Sequence, residues 1–420
     1  VYWGGNRWNG FFLSDANGYY AYLPATFIYH DWNFSFVDPI HQKYFSTHEN
    51  FDFRLQQKSL AIDKWYCGTA VAIMPFFLIG HTLTHFSNEN ADGYTFWYAL
   101  TINIAAIFYC FIGLLSLQKI LNYYFTRDII ITLVLALILF GTNLFYYSTS
   151  EPLMSHVYSF AFINLFVLSI INFLGERKKK FIYFSAFFLG MIVLIRPVNG
   201  LIVLIVPFIA GSKTIFSQTL RNILKSWKAI LVSLILFISV LFIQLIFYKL
   251  ETGKFFVYSY GNEKMDLLRP HLFDFLLSYR KGLFVYLPLI LFSLLGLVFL
   301  YKESKWQFYS ISLFMFFLCY LFSSWWNWWY GGSFGSRPII EYLFVFAILL
   351  GYAFKNLIGI KKKVFVTFCF LCLVLCQVQT YQYRYYFIHW DEMTKERYWK
   401  VFMRLDLLVK KENPNADLLK

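Results

Sequence analysis

The chain has 420 residues, 59% of them hydrophobic and only 14% charged, with mean hydropathy +0.53 and formal net charge +14. Soluble domains carry about 25% charged residues, so a soluble globular protein is excluded and the repeated apolar runs describe an all-α polytopic membrane protein. The six cysteines all lie inside apolar runs, which excludes a disulfide framework; Cys369, Cys372 and Cys376 share a helical face as small residues of a membrane helix.

The chain opens at Val1 without a Met and without a basic segment leading into an apolar core, so a processed or truncated chain is expected and no signal peptide is visible. Residues 1–63 form a polar block rich in Tyr, Trp, Phe, His, Asp and Asn. It reads as a folded loop with interfacial helices, because Trp and Tyr favour the headgroup level. Within it, Ser14-Asp15-Ala16-Asn17-Gly18-Tyr19-Tyr20 sets one carboxylate beside tyrosines. Two readings of Asp15 stand: a general base meeting a sugar or lipid phosphate, or a cap for a short helix over Gly18 to Phe27. The apolar run 65–84, with Pro75 in its middle and His81 and His85 at one end, either spans or lies in the interface.

Membrane spans are predicted near 94–118, 129–147, 155–174, 229–250, 283–300, 306–322, 338–354 and 364–380. The stretch 181–210 is broken by Ile195-Arg196-Pro197-Val198-Asn199-Gly200 and reads as two short helices folded back. Three regions follow: 1–93 as a first loop with interfacial helices, 94–380 as a helix bundle, and 381–420 as a tail, amphipathic from about Lys400 and then frayed.

Charge orients the bundle. The connections 119–128, 175–180, 211–228, 301–305 and 355–363 hold 48 residues. They carry 16 Lys and Arg against Asp128, Glu176 and Glu303, a net +13 that leaves +1 for everything else. By the positive-inside rule these connections are cytoplasmic, so the positive charge is a topology signal and not a nucleic-acid footprint. The opposite face then receives 148–154, the 196–200 turn, 251–282, 323–337 and the tail. It receives 1–63 as well if 65–84 does not cross.

Several polar clusters share that outer face. Glu151 and His156 sit at the mouth between two spans, after Tyr146 and Tyr147. Arg196, with Asn199 close by, lies at the helix break; an Arg within an apolar stretch is costly unless paired and is a functional candidate by default. The loop Ser324-Trp325-Trp326-Asn327-Trp328-Trp329-Tyr330-Gly331-Gly332-Ser333-Phe334-Gly335-Ser336-Arg337 offers aromatic faces for a sugar ring, glycines for close backbone approach, and a guanidinium for phosphate. An aromatic belt is its bland reading, and Glu341 is placed to pair with Arg337. The loop from Lys254 to Lys281 adds Tyr258, Tyr260, Glu263, Lys264, Arg269, His271 and Arg280, a mixed-charge set that also reads as a solvated surface. No glycine-rich phosphate loop, zinc-ligand spacing or Ser-His-Asp order is present in the sequence.

With these residues in view, the chain resembles the GT-C superfamily of membrane glycosyltransferases, in layout the protein O-mannosyltransferases and aminoarabinose lipid A transferases. The resemblance rests on Asp15-Ala16-Asn17-Gly18-Tyr19-Tyr20 as an acidic first-loop motif, on 65–84 as a juxtamembrane helix, and on Tyr146-Tyr147-Ser148-Thr149-Ser150-Glu151 as a span mouth. The family's Asp-Glu pair is a single acid here, and its first transmembrane helix is not in this chain. About 10 transmembrane helices are therefore expected in a GT-C-like bundle, and 11 in a full-length protein.

The resemblance implies transfer of a sugar from a polyprenyl-phosphate carrier to an unidentified acceptor (lipid, glycan or protein) on the periplasmic face of a bacterial inner membrane. Asp15 would be the base, with Glu151 orienting sugar hydroxyls or sharing that role. Arg196 and Arg337 would hold the carrier phosphate. Tyr19, Tyr20, His156, Asn199, Trp325, Trp326, Trp328, Trp329 and Tyr330 would line the substrate site. Membrane lipids are the expected surroundings. No cofactor is called beyond the lipid-linked donor; a divalent metal is possible in relatives but unsupported here, the i, i+4 spacing of His81 and His85 being a weak metal signal without a carboxylate partner. A transporter or flippase for lipid-linked sugars and a non-catalytic membrane scaffold are the rival readings.

Overall fold

The computed structural model describes residues 10, 12–46, 52–57 and 60–406. The chain is built mainly of helices, with one two-stranded sheet among the described residues. The amphipathic segment expected from about Lys400 falls largely outside them.

Helix α1 runs Asp15–Pro24 and widens into a π-helical turn over Ala25–Tyr29. Pro24 has no N–H to return to the preceding turn, so the regular ladder cannot pass it unchanged. Next come α2 (Val37–Tyr44), strands β1 (Arg54–Gln57) and β2 (Leu60–Asp63), and α3 (Gly68–Phe86). The strands pair antiparallel, Arg54 opposite Asp63 and Leu55 opposite Ile62. This hairpin is an addition to the helical reading of the first polar block.

Helices α4 (Phe96–Tyr124), α5 (Asp128–Phe140), α6 (Leu144–Thr149), α7 (His156–Glu176) and α8 (Lys179–Ile195) follow. Asp128 complements the helix dipole in the first turn of α5, and Gly141 follows its last turn. A 3₁₀ stretch Pro197–Ile205 leads to α9 (Val206–Ile209), α10 (Lys213–Leu224) and α11 (Trp227–Thr252). Gly253, at φ 75°, stops α11 in the left-handed conformation that suits glycine. The second half carries α12 (Leu272–Leu277), α13 (Leu283–Tyr286), α14 (Pro288–Ser293), α15 (Leu295–Glu303), α16 (Lys305–Ser323), α17 (Leu343–Asn356), α18 (Gly359–Arg384) and α19 (Lys395–Val401). Ser304 caps α16, its hydroxyl accepting from Gln307 N at 3.3 Å. The predicted span 283–300 is not one helix but three, α13 to α15, because Pro288 interrupts it.

Among the described residues seven helices are long and apolar enough to cross a bilayer, or eight if the sharply bent pair Pro197–Ile209 and Lys213–Leu224 counts as one. The protein is therefore membrane-embedded and polytopic.

The chain divides into two compact units. The first comprises Val1–Gly113, Tyr147–Ile202 and Thr219–Glu263. Its frame is the antiparallel hairpin α7/α8, flanked by α11. Helix α3 lies antiparallel along the first half of α4: Tyr109 donates to the Ala72 carbonyl at 2.9 Å, Phe76 stacks near Phe108, and His81 meets Tyr98. Tyr109 in turn packs edge-on to Tyr158, just inside the start of α7. So α3 begins level with that end of the α7/α8 hairpin and runs away from it, instead of running down beside α7 and α8. At 29 residues α4 is roughly 43 Å long, more than a hydrocarbon core of about 30 Å needs, and α3 lies along its first half.

The β-hairpin closes this unit over a buried polar knot. Cys67 N donates to Gln244 Oε1 at 2.7 Å, and the Tyr22 hydroxyl donates to the Trp65 carbonyl at 2.7 Å. Asp63 is fully buried, one carboxylate oxygen accepting from Trp65 N at 2.8 Å. Burial, then the charge of Glu251 in the last turn of α11, pushes the Asp63 carboxyl well above the usual range. The folded chain therefore keeps a proton that the unfolded chain releases above about pH 4. Asp63 consequently contributes a stability that declines as pH rises through that window, by up to about 1.4 kcal/mol per pH unit. Asp63→Asn is expected to flatten this part of the pH dependence and to raise the melting temperature more at pH 8 than at pH 5. Parallel pH profiles for the two proteins would refute it.

The second unit comprises Leu114–Tyr146, Val203–Gln218 and Lys264–Lys420. Its centre is α17, buried on every side and packed by α5, α14 and α15. Gly296 of α15 abuts the backbone of Leu349, which sets how closely α15 and α17 can approach.

Candidate functional site

The first unit builds its polar cluster from a helix break. Proline disfavours the helical conformation in the residue before it, and Arg196 accordingly leaves α8 in an extended conformation, φ −150° and ψ 109°. Because α7 and α8 are antiparallel and joined by the two residues Arg177 and Lys178, the end of α8 returns to the start of α7. There Arg196 Nη1 lies 3.1 Å from Nδ1 of His156, the first residue of α7. A guanidinium can only donate, so Nδ1 accepts and this imidazole carries its proton on Nε2. Tyr147 meets the His156 ring edge-on with centroids 5.6 Å apart. Asn199 N donates to the Arg196 carbonyl at 2.9 Å while its side-chain amide reaches Ser159 Oγ at 3.3 Å. Glu151 is half-buried in the turn before α7, its carbonyl accepting from Met154 N at 3.1 Å.

Aromatic side chains tie α1 to this cluster. Asp15 is the first residue of α1 and Tyr19 lies one turn on, so both share a face. Tyr19 packs on Trp65 at 5.1 Å, and Trp65 stands edge-on to Tyr260 at 5.9 Å. Burial first, and then neighbouring Tyr19, pushes the Tyr260 hydroxyl up, while the Arg196 cation opposes the shift. This hydroxyl stays protonated at neutral pH and remains a hydrogen-bond donor. An ion pair, Lys64 to Glu263 at 2.5 Å, fixes the segment that carries Tyr260. Tyr20, by contrast, points into the core: it is fully buried, packs against Phe12 and Tyr94, and donates to the Gly93 carbonyl. Beside Pro197 an apolar cleft of about 410 Å³ opens between α8 and α11, with Tyr66, Tyr248 and Tyr258 on its walls.

The second unit holds the tryptophan loop. Its start pairs with the preceding loop through an antiparallel bridge between Met265 and Trp325, and Trp326 N donates to the Lys264 carbonyl at 3.3 Å. Trp329 carries the Arg280 guanidinium 3.6 Å above its ring, and Arg280 also pairs with Asp391 at 3.1 Å. Trp328 is buried and stacks with His271. Trp326 is the most exposed of the four, at 46%. Tyr330, at φ 58°, turns the chain and donates to the Phe322 carbonyl at 3.1 Å. Arg337 is buried at the start of a 3₁₀ turn that also buries Glu341. Lys281, buried, donates to the carbonyls of Ser333 and, at 2.7 Å, of Trp390.

Thus Tyr19, His156, Arg196 and Asn199 gather with the helix of Asp15 in one unit, and Trp325 to Arg337 gather in the other. Trp65, which bridges Tyr19 and Tyr260, escaped the sequence reading; no spacing rule connects residues 195 positions apart. Among the described residues no three His, Cys, Asp or Glu side chains converge as metal ligands. No family model, curated protein or solved structure matches the chain.

Proposed function

We propose that this chain is a membrane glycosyltransferase that moves a sugar from a polyprenyl-phosphate carrier to a hydroxyl acceptor by a single inverting displacement. The observation that carries the reading is Arg196. It is a cation at a helix break, held by His156 and near enough to Tyr260 to oppose the upward shift of its hydroxyl, and Tyr260 leads through Trp65 to Tyr19 on the helix of Asp15.

In the reaction Asp15 takes the acceptor proton as the acceptor oxygen attacks the anomeric carbon. The bond from that carbon to the phosphate oxygen breaks, and its electron pair leaves with the carrier phosphate. Arg196 offsets the charge that grows there, which is stabilisation specific to the transition state. Tyr260 and Tyr19 donate to phosphate or sugar oxygens. The apolar cleft beside Pro197 takes the first isoprene units, and the exposed side of α11 faces the lipid from which they enter.

Orientation follows from charge. The basic connection 175–180 joins α7 and α8 at the end opposite Arg196 and His156, so the cluster faces away from the cytoplasm. In the GT-C-like arrangement proposed here, α3 lies outside the hydrocarbon core and ten segments cross or enter it. The compartment is the periplasm of a bacterial inner membrane.

The test is transfer from labelled polyprenyl-phosphate sugars in membranes containing the protein. Arg196→Ala is expected to lower kcat/KM about 100-fold, since a charge-assisted contact to the leaving phosphate is lost, and Arg196→Lys to restore part of it. Absence of transfer with every donor tried would overturn the reading and leave a carrier for lipid-linked sugars, to which a broken helix also suits.

A further inference from the structure

The last two turns of α3 carry His81 and His85 on one face, four residues apart. Their Nε2 atoms point at one another across 3.2 Å, with the rings nearly perpendicular at 87°. A tetrahedral ion with metal–nitrogen bonds of about 2.0–2.1 Å separates two of its nitrogen ligands by about 3.3 Å. The pair stands at that spacing.

His81 is also oriented for the task. Its ring lies parallel to Phe77, and its Nδ1 is 2.5 Å from the Tyr98 hydroxyl. The Tyr98 hydroxyl can accept from Nδ1–H of His81, and a bound ion selects the tautomer in which it does. That leaves the Nε2 lone pair of His81 directed at His85. A ligand histidine whose other nitrogen is held by a hydrogen-bond partner is the usual arrangement at metal centres. His85 is exposed, so the position between the rings is open to ions from solution.

We propose that His81 and His85 form a two-imidazole site for a divalent transition ion of the Zn²⁺ or Ni²⁺ class, with water completing the shell. Imidazole nitrogens suit these ions, whereas Mg²⁺ and Ca²⁺ require oxygen ligands. The site is separate from the Arg196 cluster, and its binding is measurable without any transfer assay.

The experiment is calorimetric titration of the detergent-solubilised protein, with any affinity tag removed, using ZnCl₂ and NiCl₂, and MgCl₂ as control. About one Zn²⁺ per chain is expected, bound at least tenfold more weakly by His81→Gln and by His85→Gln. Because His85 is exposed, His85→Gln should keep the melting temperature of the metal-free protein. Tyr98→Phe should weaken Zn²⁺ severalfold, and affinity should fall at acid pH, where protons compete with the ion for the imidazole nitrogens. Zn²⁺ uptake unchanged in the double His variant, no uptake at millimolar ZnCl₂, or equal binding of Mg²⁺ would each overturn the proposal.

Discussion

Replacing Asp15 by Asn is expected to lower transfer by about 10²- to 10⁴-fold while leaving the protein folded and donor binding intact. The size follows from the loss of a positioned general base. Folding should survive, because Asn is nearly isosteric, is well tolerated at a helix start, and replaces a half-exposed side chain. Donor binding should survive too, because the proposed mechanism takes the phosphate contacts from Arg196 and the tyrosine hydroxyls. The measurement is single-turnover transfer alongside donor binding at equilibrium. Undiminished transfer would remove Asp15 from the mechanism and move the base to Glu151, half-buried before α7. A loss of transfer matched by a loss of donor binding would instead mean that Asp15 organises the site.

Replacing Gly68 by Val should damage both stability and transfer. Gly68 opens α3, and a Cβ there would collide with the backbone of Leu194 and Ile195. Backbone cannot yield as a flexible side chain can, so α3 must lift from α8. Overpacking of this kind costs about 1–3 kcal/mol, and more where the obstacle is main chain. Ile195 immediately precedes Arg196, so the displacement should also disturb the 3.1 Å contact with His156. A melting temperature several degrees lower is expected, with KM for the donor raised in what remains folded. Gly175→Ala is the control: it sits near the end of α7 with open space where its Cβ would go, and it should leave both quantities unchanged. Equal behaviour of the two variants would show that the close approach at Gly68 does not govern the site.

What could be read from the sequence depended on how local each signal is. Hydropathy and the excess of Lys and Arg in the connections act within a span and its flanks. The long helices α4, α7, α11, α16 and α18 accordingly appear close to their predicted places. The break at Arg196 was visible because Pro197 acts on its immediate neighbour. The course of α3 was not visible: periodicity gives a helix over 65–84, but only the pairing of Ala72, Phe76 and His81 with Tyr109, Phe108 and Tyr98 gives its direction. The β-hairpin hid in a block whose aromatic content suggested interfacial helices. The tryptophan loop was singled out as a sugar platform, yet much of it packs against Arg280 and His271. Composition records that tryptophans are abundant, not what each one faces.

The buried Lys281 has a consequence for biosynthesis. Its ammonium is held by carbonyls of Ser333 and Trp390, roughly 50 and 110 residues downstream. A ribosome delivers these partners in turn, and Trp390 emerges only after α18 has been made. Until then the ammonium lacks the Trp390 carbonyl, one of the groups that offset the cost of burying its charge. The tryptophan loop, which carries Ser333, therefore reaches its full set of contacts only once the last segment is made. The tail thus completes the second unit, and Lys281 is where the tryptophan loop and the last segment meet.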